Sequence, residues 1–128
     1  MKYLLDTHIF IAWSRGTLAD QYPNQFRILA AKGTFLYLSV SSIWEIAIKV
    51  RIGKLDAGIE PALIKTFCQN AGIAILDIIA EHATDRSFDE PLTRDPFDRM
   101  LLAQCRVEGM KLVTVDRLLT NHPLAALA

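Results

Sequence analysis

Short unbroken apolar runs alternate along this chain with longer stretches of helical patterning. The short runs fit strands buried on both faces, and the longer stretches fit helices. Tyr3-Leu4-Leu5 predicts a first strand ending at Asp6, and Thr7 to Ser14 a helix closed by Gly16. Pro23 stands near the start of a second helix that ends at Gly33. Phe35-Leu36-Tyr37-Leu38-Ser39, rich in aromatics, predicts the second strand. Ser42 to Arg51 reads as helix, with Gly53 as its stop. Glu60-Pro61 opens another helix, which Gly72 closes. Ile73-Ala74-Ile75-Leu76 is a third strand, followed by a helix from about Ala80 to Phe88. Pro96 starts a helix that Gly109 ends, and Leu112-Val113-Thr114-Val115 is a fourth strand finishing at Asp116.

Strands that alternate with helices build βα units, and these place a mostly parallel sheet between two helical layers. The expected fold class is α/β, a three-layer sandwich around a central sheet of four to five strands. The doubtful fifth is the tail from His122 to Ala128, which holds Pro123 and little β-forming sequence. With 128 residues the chain is expected to form one domain, residues 1–128. In such sheets ligands bind beyond the carboxyl ends of the strands, near the point where strand order reverses. The residues just after each strand therefore matter most, and an acid follows nearly every one: Asp6, Glu45 a few residues after the second, Asp77 and Asp116.

Composition narrows the classes. Hydrophobic residues make up 52% and charged residues 22%, which argues for a packed core and against disorder. Fourteen basic and fourteen acidic residues cancel, so a nucleic-acid partner would need a local basic patch. The two cysteines, Cys68 and Cys105, have no metal or redox spacing and are expected to be buried thiols. No apolar run reaches the ~20 residues of a membrane span, and Asp6 breaks the N-terminal apolar stretch. The expected location is cytoplasmic, with no membrane partner.

Each acid has a local explanation. Ser42-Ile43-Trp44-Glu45 fits a capping box. Asp95-Pro96-Phe97-Asp98 fits an N-cap, a proline at the first helical position and a negative charge in the first turn. Asp6 and Asp116 could each cap the helix after it. Together the acids invite another reading. If the sheet is parallel, Asp6, Glu45, Asp98 and Asp116 share one edge. Two carboxylates ~4 Å apart repel by about 4 kcal/mol at an effective dielectric near 20, so such a cluster calls for raised pKa values or a cation. Oxygen-only ligands point to Mg²⁺ or Mn²⁺, and a carboxylate-held divalent ion can serve phosphodiester cleavage.

Four stretches also resemble a known family: LLDTHIFIAW at Leu4 to Trp13, SVSSIWEIAIKVRIGKL at Ser39 to Leu55, RDPFDRMLLAQ at Arg94 to Gln104, and LVTVD at Leu112 to Asp116. They are similar, in order, to the PIN domain, and more narrowly to the VapC-type toxins of bacterial type II toxin–antitoxin pairs. The resemblance implies a Mg²⁺- or Mn²⁺-dependent endoribonuclease with a central parallel sheet. It places the family's acidic quartet on Asp6, Glu45, Asp98 and Asp116, with the metal on Asp6 and Asp98 and Asp116 as a third ligand. Thr7 and Thr114 match hydroxyl positions that support the first and last acids, and Asp95 is the cap beside the ligand Asp98. The implied partners are an RNA substrate (often transfer RNA in the family), a cognate antitoxin protein and a second copy in a homodimer. Relatives often carry histidine just before the arginine of this motif, where this chain has Thr93.

Lys49, Arg51 and Lys54 could meet RNA phosphates or complement a helix dipole. Arg94 and Arg99 could clamp a phosphate or pair with the acids. His8 reads first as structural, and His82 and His122 carry no pattern. Two rival functions remain open on the residues: a PIN domain that binds RNA or protein without cutting, and a phosphoacceptor receiver-like domain. The second lacks the acid pair after the first strand and the lysine after the last.

Overall fold

In the computed structural model, which describes residues 1–86 and 93–127, the four apolar runs form one parallel sheet. The elements are β1 (Lys2–Leu5), α1 (Thr7–Ser14), α2 (Leu18–Gln21), α3 (Pro23–Ala30), β2 (Phe35–Ser39) and α4 (Val40–Arg51). A 3-10 turn (Pro61–Leu63) then runs into α5 (Ile64–Ala71), followed by β3 (Ile73–Leu76), α6 (Ala80–Ala83), α7 (Pro96–Glu108) and β4 (Lys111–Val113). The strand order is β3-β2-β1-β4.

That order decides where the helices go. From β1 the chain crosses to β2 and then β3 on one side. It then returns past β1 to lay β4 on the other. Right-handed crossovers in opposite directions place their helices on opposite faces. The side chains agree with this. Leu5, Leu38, Ile73 and Val113 point into one cluster with Ile9 and Phe10 of α1, Ile46 of α4, and Ile64 and Cys68 of α5. Leu4 and Leu112 point into a second, with Leu101, Leu102 and Cys105 of α7 and with Leu119. Neighbouring residues on one strand face opposite clusters, as the period of two demands. Both faces are covered, which is why the strands read as unbroken apolar runs. Both cysteines are buried free thiols, one in each cluster.

The differences from the sequence reading are local. The short α2 was not expected. α4 begins at Val40, two residues before Ser42. α6 stops at Ala83, and Phe88 lies outside the described residues. β4 ends at Val113 because Thr114 and Asp116 leave the ladder: the Asp116 N–H turns back to the Thr114 hydroxyl at 3.0 Å. The tail makes one parallel bridge, Ala125 to Leu112, so it touches the β4 edge without becoming a full strand among the described residues. No helix among the described residues is long and apolar enough to cross a membrane.

His82, which carried no signal in the sequence, is buried between two elements. Its Nδ1 accepts from the Ile79 N–H at 3.2 Å, and its Nε2 lies 2.7 Å from Glu108 of α7. The other end of α7 shows why glycine terminates it. Gly109 has φ +69°, and a Cβ there would meet nothing within 4 Å. Gly109→Ala is therefore a clean test of backbone strain. It is expected to cost about 1 kcal/mol of unfolding free energy, read by urea titration. An unchanged midpoint would show that the helix end relaxes into another conformation.

Candidate active site

The strand-order reversal lies between β1 and β4, and the acids collect beyond the carboxyl ends of these two strands. Asp6 directly follows β1. It occupies the N-cap position of α1, yet its side chain makes no capping bond. Instead the Thr114 hydroxyl, just past β4, donates to Asp6 Oδ2. The backbone ties the same two strand ends, with the Asp6 N–H donating to the Val113 carbonyl at 2.9 Å. Asp6 is only 3% exposed. Burial pushes its carboxyl above the usual carboxylate range, partly offset by the Thr114 hydrogen bond and the nearby His8.

The stretch from Thr93 to Asp98 separates two aspartates by role. Asp95 is the N-cap of α7, its Oδ1 accepting from the Phe97 N–H at 2.8 Å. Asp98, one turn on, has its carboxylate free of that duty and is half-buried. Its pKa is pushed up to about 7, first by burial and then by the charges of Asp95, Asp6 and Asp116. Asp6, Asp98 and Asp116 therefore lie within electrostatic reach of one another, although they come from the end of β1, the start of α7 and the end of β4. Asp116 Oδ1 also accepts from the Leu118 N–H at 2.9 Å, closing a turn.

Thr93 was noted in the sequence only as a departure from the family pattern. In the structure it is buried and central. Its hydroxyl donates to Asp98 Oδ2 at 3.3 Å and accepts from the Asp95 N–H at 3.1 Å. Its carbonyl takes the Arg99 Nε at 2.9 Å. Nothing in a single sequence marks a threonine as such a hub. Its place two residues before a cap lets the hydroxyl close a turn.

The capping box expected at Ser42 is not formed. Ser39 is the N-cap, its hydroxyl accepting from the Ser41 N–H at 3.0 Å. Ser42 and Glu45 are buried and face the start of α1 instead. The Thr7 hydroxyl donates to Glu45 Oε1 at 2.8 Å and lies 2.9 Å from the Ser42 hydroxyl. The other oxygen of Glu45 takes Lys49 Nζ at 2.6 Å. Both oxygens are thus engaged, and the charge of Lys49 is spent on Glu45. Arg99 is likewise held by the Thr93 carbonyl, while Arg51 and Lys54 are exposed at the end of α4. Trp44 is 61% exposed and meets Phe97 edge to face, with ring centroids 5.8 Å apart.

Chemically, three carboxylates and nearby hydroxyls form an all-oxygen donor set whose mutual repulsion a hard divalent cation would relieve. The residues fit such an ion by donor type and by charge. Among the described residues, however, no three of these side chains are gathered as a preformed metal cage.

Comparison with known proteins agrees with the geometry. Residues 3–123 match the PIN domain family. Among curated proteins none matches the sequence. Among solved structures, a similar fold occurs in a chain of the crystal structure of VapBC2 from Rickettsia felis bound to a DNA fragment from their promoter. That chain is 20% identical, with a TM-score of 0.65, over 98% of this chain and 96% of that one. Covering nearly the whole sheet and all four acids, the family match leads to one conclusion: this chain belongs to the PIN domain family.

Proposed function

We propose that this protein is a metal-dependent endoribonuclease and the toxin of a toxin–antitoxin pair. The observation that carries this reading is the mutual electrostatic influence of Asp6, Asp98 and Asp116 near the point where strand order reverses, with Asp98 held near a pKa of about 7 by burial and like charges. Membership of the PIN family supports it, as does a fold shared with a chain of a VapBC2 complex.

Asp6, Asp98 and Asp116 would hold Mg²⁺ or Mn²⁺. When bound, the ion supplies positive charge at the scissile phosphate and makes water a stronger nucleophile. The chain's own residues do the rest. Thr114 fixes the Asp6 carboxylate in one rotamer. Thr93 steadies Asp98, and Asp95 fixes the helix start that carries it. Thr7, held by Glu45 and Ser42, locks the first turn of α1, which follows Asp6, against α4. Glu45 completes the acidic cradle. The partners that go with this reading are RNA, a cognate antitoxin protein and a second copy of the chain, in the cytoplasm.

The test is cleavage of total RNA by purified protein in Mg²⁺, in Mn²⁺ and in EDTA. Discrete products in either metal, absent in EDTA, are expected. A folded protein that cuts nothing in any metal would move the weight to a PIN domain that binds RNA or protein silently.

A further inference from the structure

A cleft of about 320 Å³ opens along α1, with His8 among its lining residues. One wall is a face of α1. His8, Ile11, Ala12 and Arg15 stand at i, i+3, i+4 and i+7, so they line one stripe of the helix. That stripe begins two residues after Asp6, and seven residues of rise carry it about 10 Å away to Arg15. Thr17, Gln21 and Tyr22, in and around α2, form the facing wall. His8, two residues after Asp6 in the chain, marks the end of the cleft nearest the acidic site.

We propose that this cleft is a nucleotide subsite, which holds the single-stranded RNA residue next to the bond that is cut. The inference rests on the nuclease reading above and names a part of the substrate's path. Three features carry it. The first is charge. The chain has no net charge, Lys49 is paired with Glu45, and the acids alone would repel a polyanion. Arg15 is exposed, and its Nη1 donates to a backbone carbonyl, that of Asp56, at 2.7 Å. Among the described residues no carboxylate neutralises it, so its charge is available to a phosphate.

The second feature is the wall chemistry. Ile11, Ala12 and Tyr22 offer an apolar surface for a base, and Tyr22 is fixed because it also packs on the core. Gln21 and Thr17 sit beside it, joined at 3.2 Å, and the Gln21 amide reaches the Tyr22 hydroxyl at 3.3 Å. These groups can meet the polar edge of a base. The third feature is size. At about 320 Å³ the cleft lies at the small end of ligand pockets, suited to one nucleotide and too small for a folded partner segment.

The experiment measures binding and cleavage separately. Binding is read by fluorescence anisotropy of a 5′-labelled single-stranded RNA oligonucleotide in Mg²⁺, with Asp98→Asn as the parent so that nothing is cut. In that parent, Arg15→Ala is expected to weaken binding roughly tenfold. It should also flatten the slope of log Kd against log salt by about 0.7. Arg15→Lys should keep most of the slope, Gln21→Ala should weaken binding without changing it, and Lys65→Ala on α5 should change neither. With Asp98 intact, Arg15→Ala should raise KM and leave kcat within about twofold. An Arg15→Ala protein that binds with the parent's Kd and slope overturns the subsite. So does an Arg15→Lys protein that loses as much as Arg15→Ala, since that marks a structural arginine. Wild-type cleavage separates the two readings. If wild type cuts RNA and Arg15→Ala is unaltered, the subsite alone falls. If folded wild type neither cuts nor binds RNA, the nuclease reading falls and takes the subsite with it.

Discussion

Asp98→Asn is expected to lower metal-dependent RNA cleavage on the order of a thousandfold and, in EDTA at about pH 8, to make the protein more stable. Both effects have one source. The Asp98 carboxyl is pushed up to about 7 by burial and by Asp95, Asp6 and Asp116, so ionising it in the folded protein is unfavourable without a cation. Asparagine keeps the shape and removes the charge. It relieves the repulsion and also removes a carboxylate proposed as a metal ligand. A cation's contribution of several kcal/mol to the transition state corresponds to about three decades in rate. The contrast is Asp95→Ala, three residues away. That change removes a cap seen at 2.8 Å and should cost about 1 kcal/mol of stability while cleavage stays within a few-fold. If Asp95→Ala lost activity as completely as Asp98→Asn, in a protein shown to be folded, the division of roles between cap and ligand would be wrong.

The second large effect is a pH dependence of stability that metal removes. The folded Asp98 titrates at about 7, against an ordinary value of 3.8. Below about 4 the group is protonated in both states and carries no penalty. Between about 4 and 7 the unfolded chain releases its proton while the folded chain keeps it. The folded state then binds more protons, so stability falls as pH rises through that window and levels off above it. Asp6, also raised by burial, adds a change of the same sign. Asp98 is only half-buried, so solvent screens part of the effect. A drop of roughly 5 °C in Tm between about pH 5 and pH 8 in EDTA is a fair expectation. Saturating Mg²⁺ should recover the loss at the upper end, because an ion that binds only the folded state stabilises it by mass action. Differential scanning fluorimetry of wild type and Asp98→Asn decides the matter. An equal drop in both proteins would mean that Asp98 is not its source.

Much of the fold was legible because both layers obey simple periods. Leu4 and Leu5 belong to different clusters, and only a strand covered on both sides needs apolar residues at consecutive positions. Asp95-Pro96 before α7 and Gly109 after it marked that helix to the residue. Ser39 and Ser42 show where such reading stops. Both are serines near the start of α4, and both satisfy the local rule for a cap. What separates them is Thr7, which comes from another part of the chain and claims Ser42 and Glu45. Thr93 is a similar case: its importance comes from meeting Asp98, Asp95 and Arg99 at once. The short α2 was missed because four residues are too few for a period to register. The charge cluster itself was foreseeable from acids placed after strands, whereas the pairing of Glu45 with Lys49 depended on rotamers.

The bond from Thr114 to Asp6 spans 108 residues of sequence, and β1 and β4 are neighbours in the sheet. During synthesis from the N-terminus, Asp6 is made early and must wait for its partner. β2 can pair with β1 at once, but the strand that brings Thr114 and Asp116 is the last of the four to be translated. A nascent chain therefore carries the separate acids without their assembled arrangement. A site built this way cannot assemble until the last of its four strands has been made, so its acids stay apart for most of the chain's synthesis.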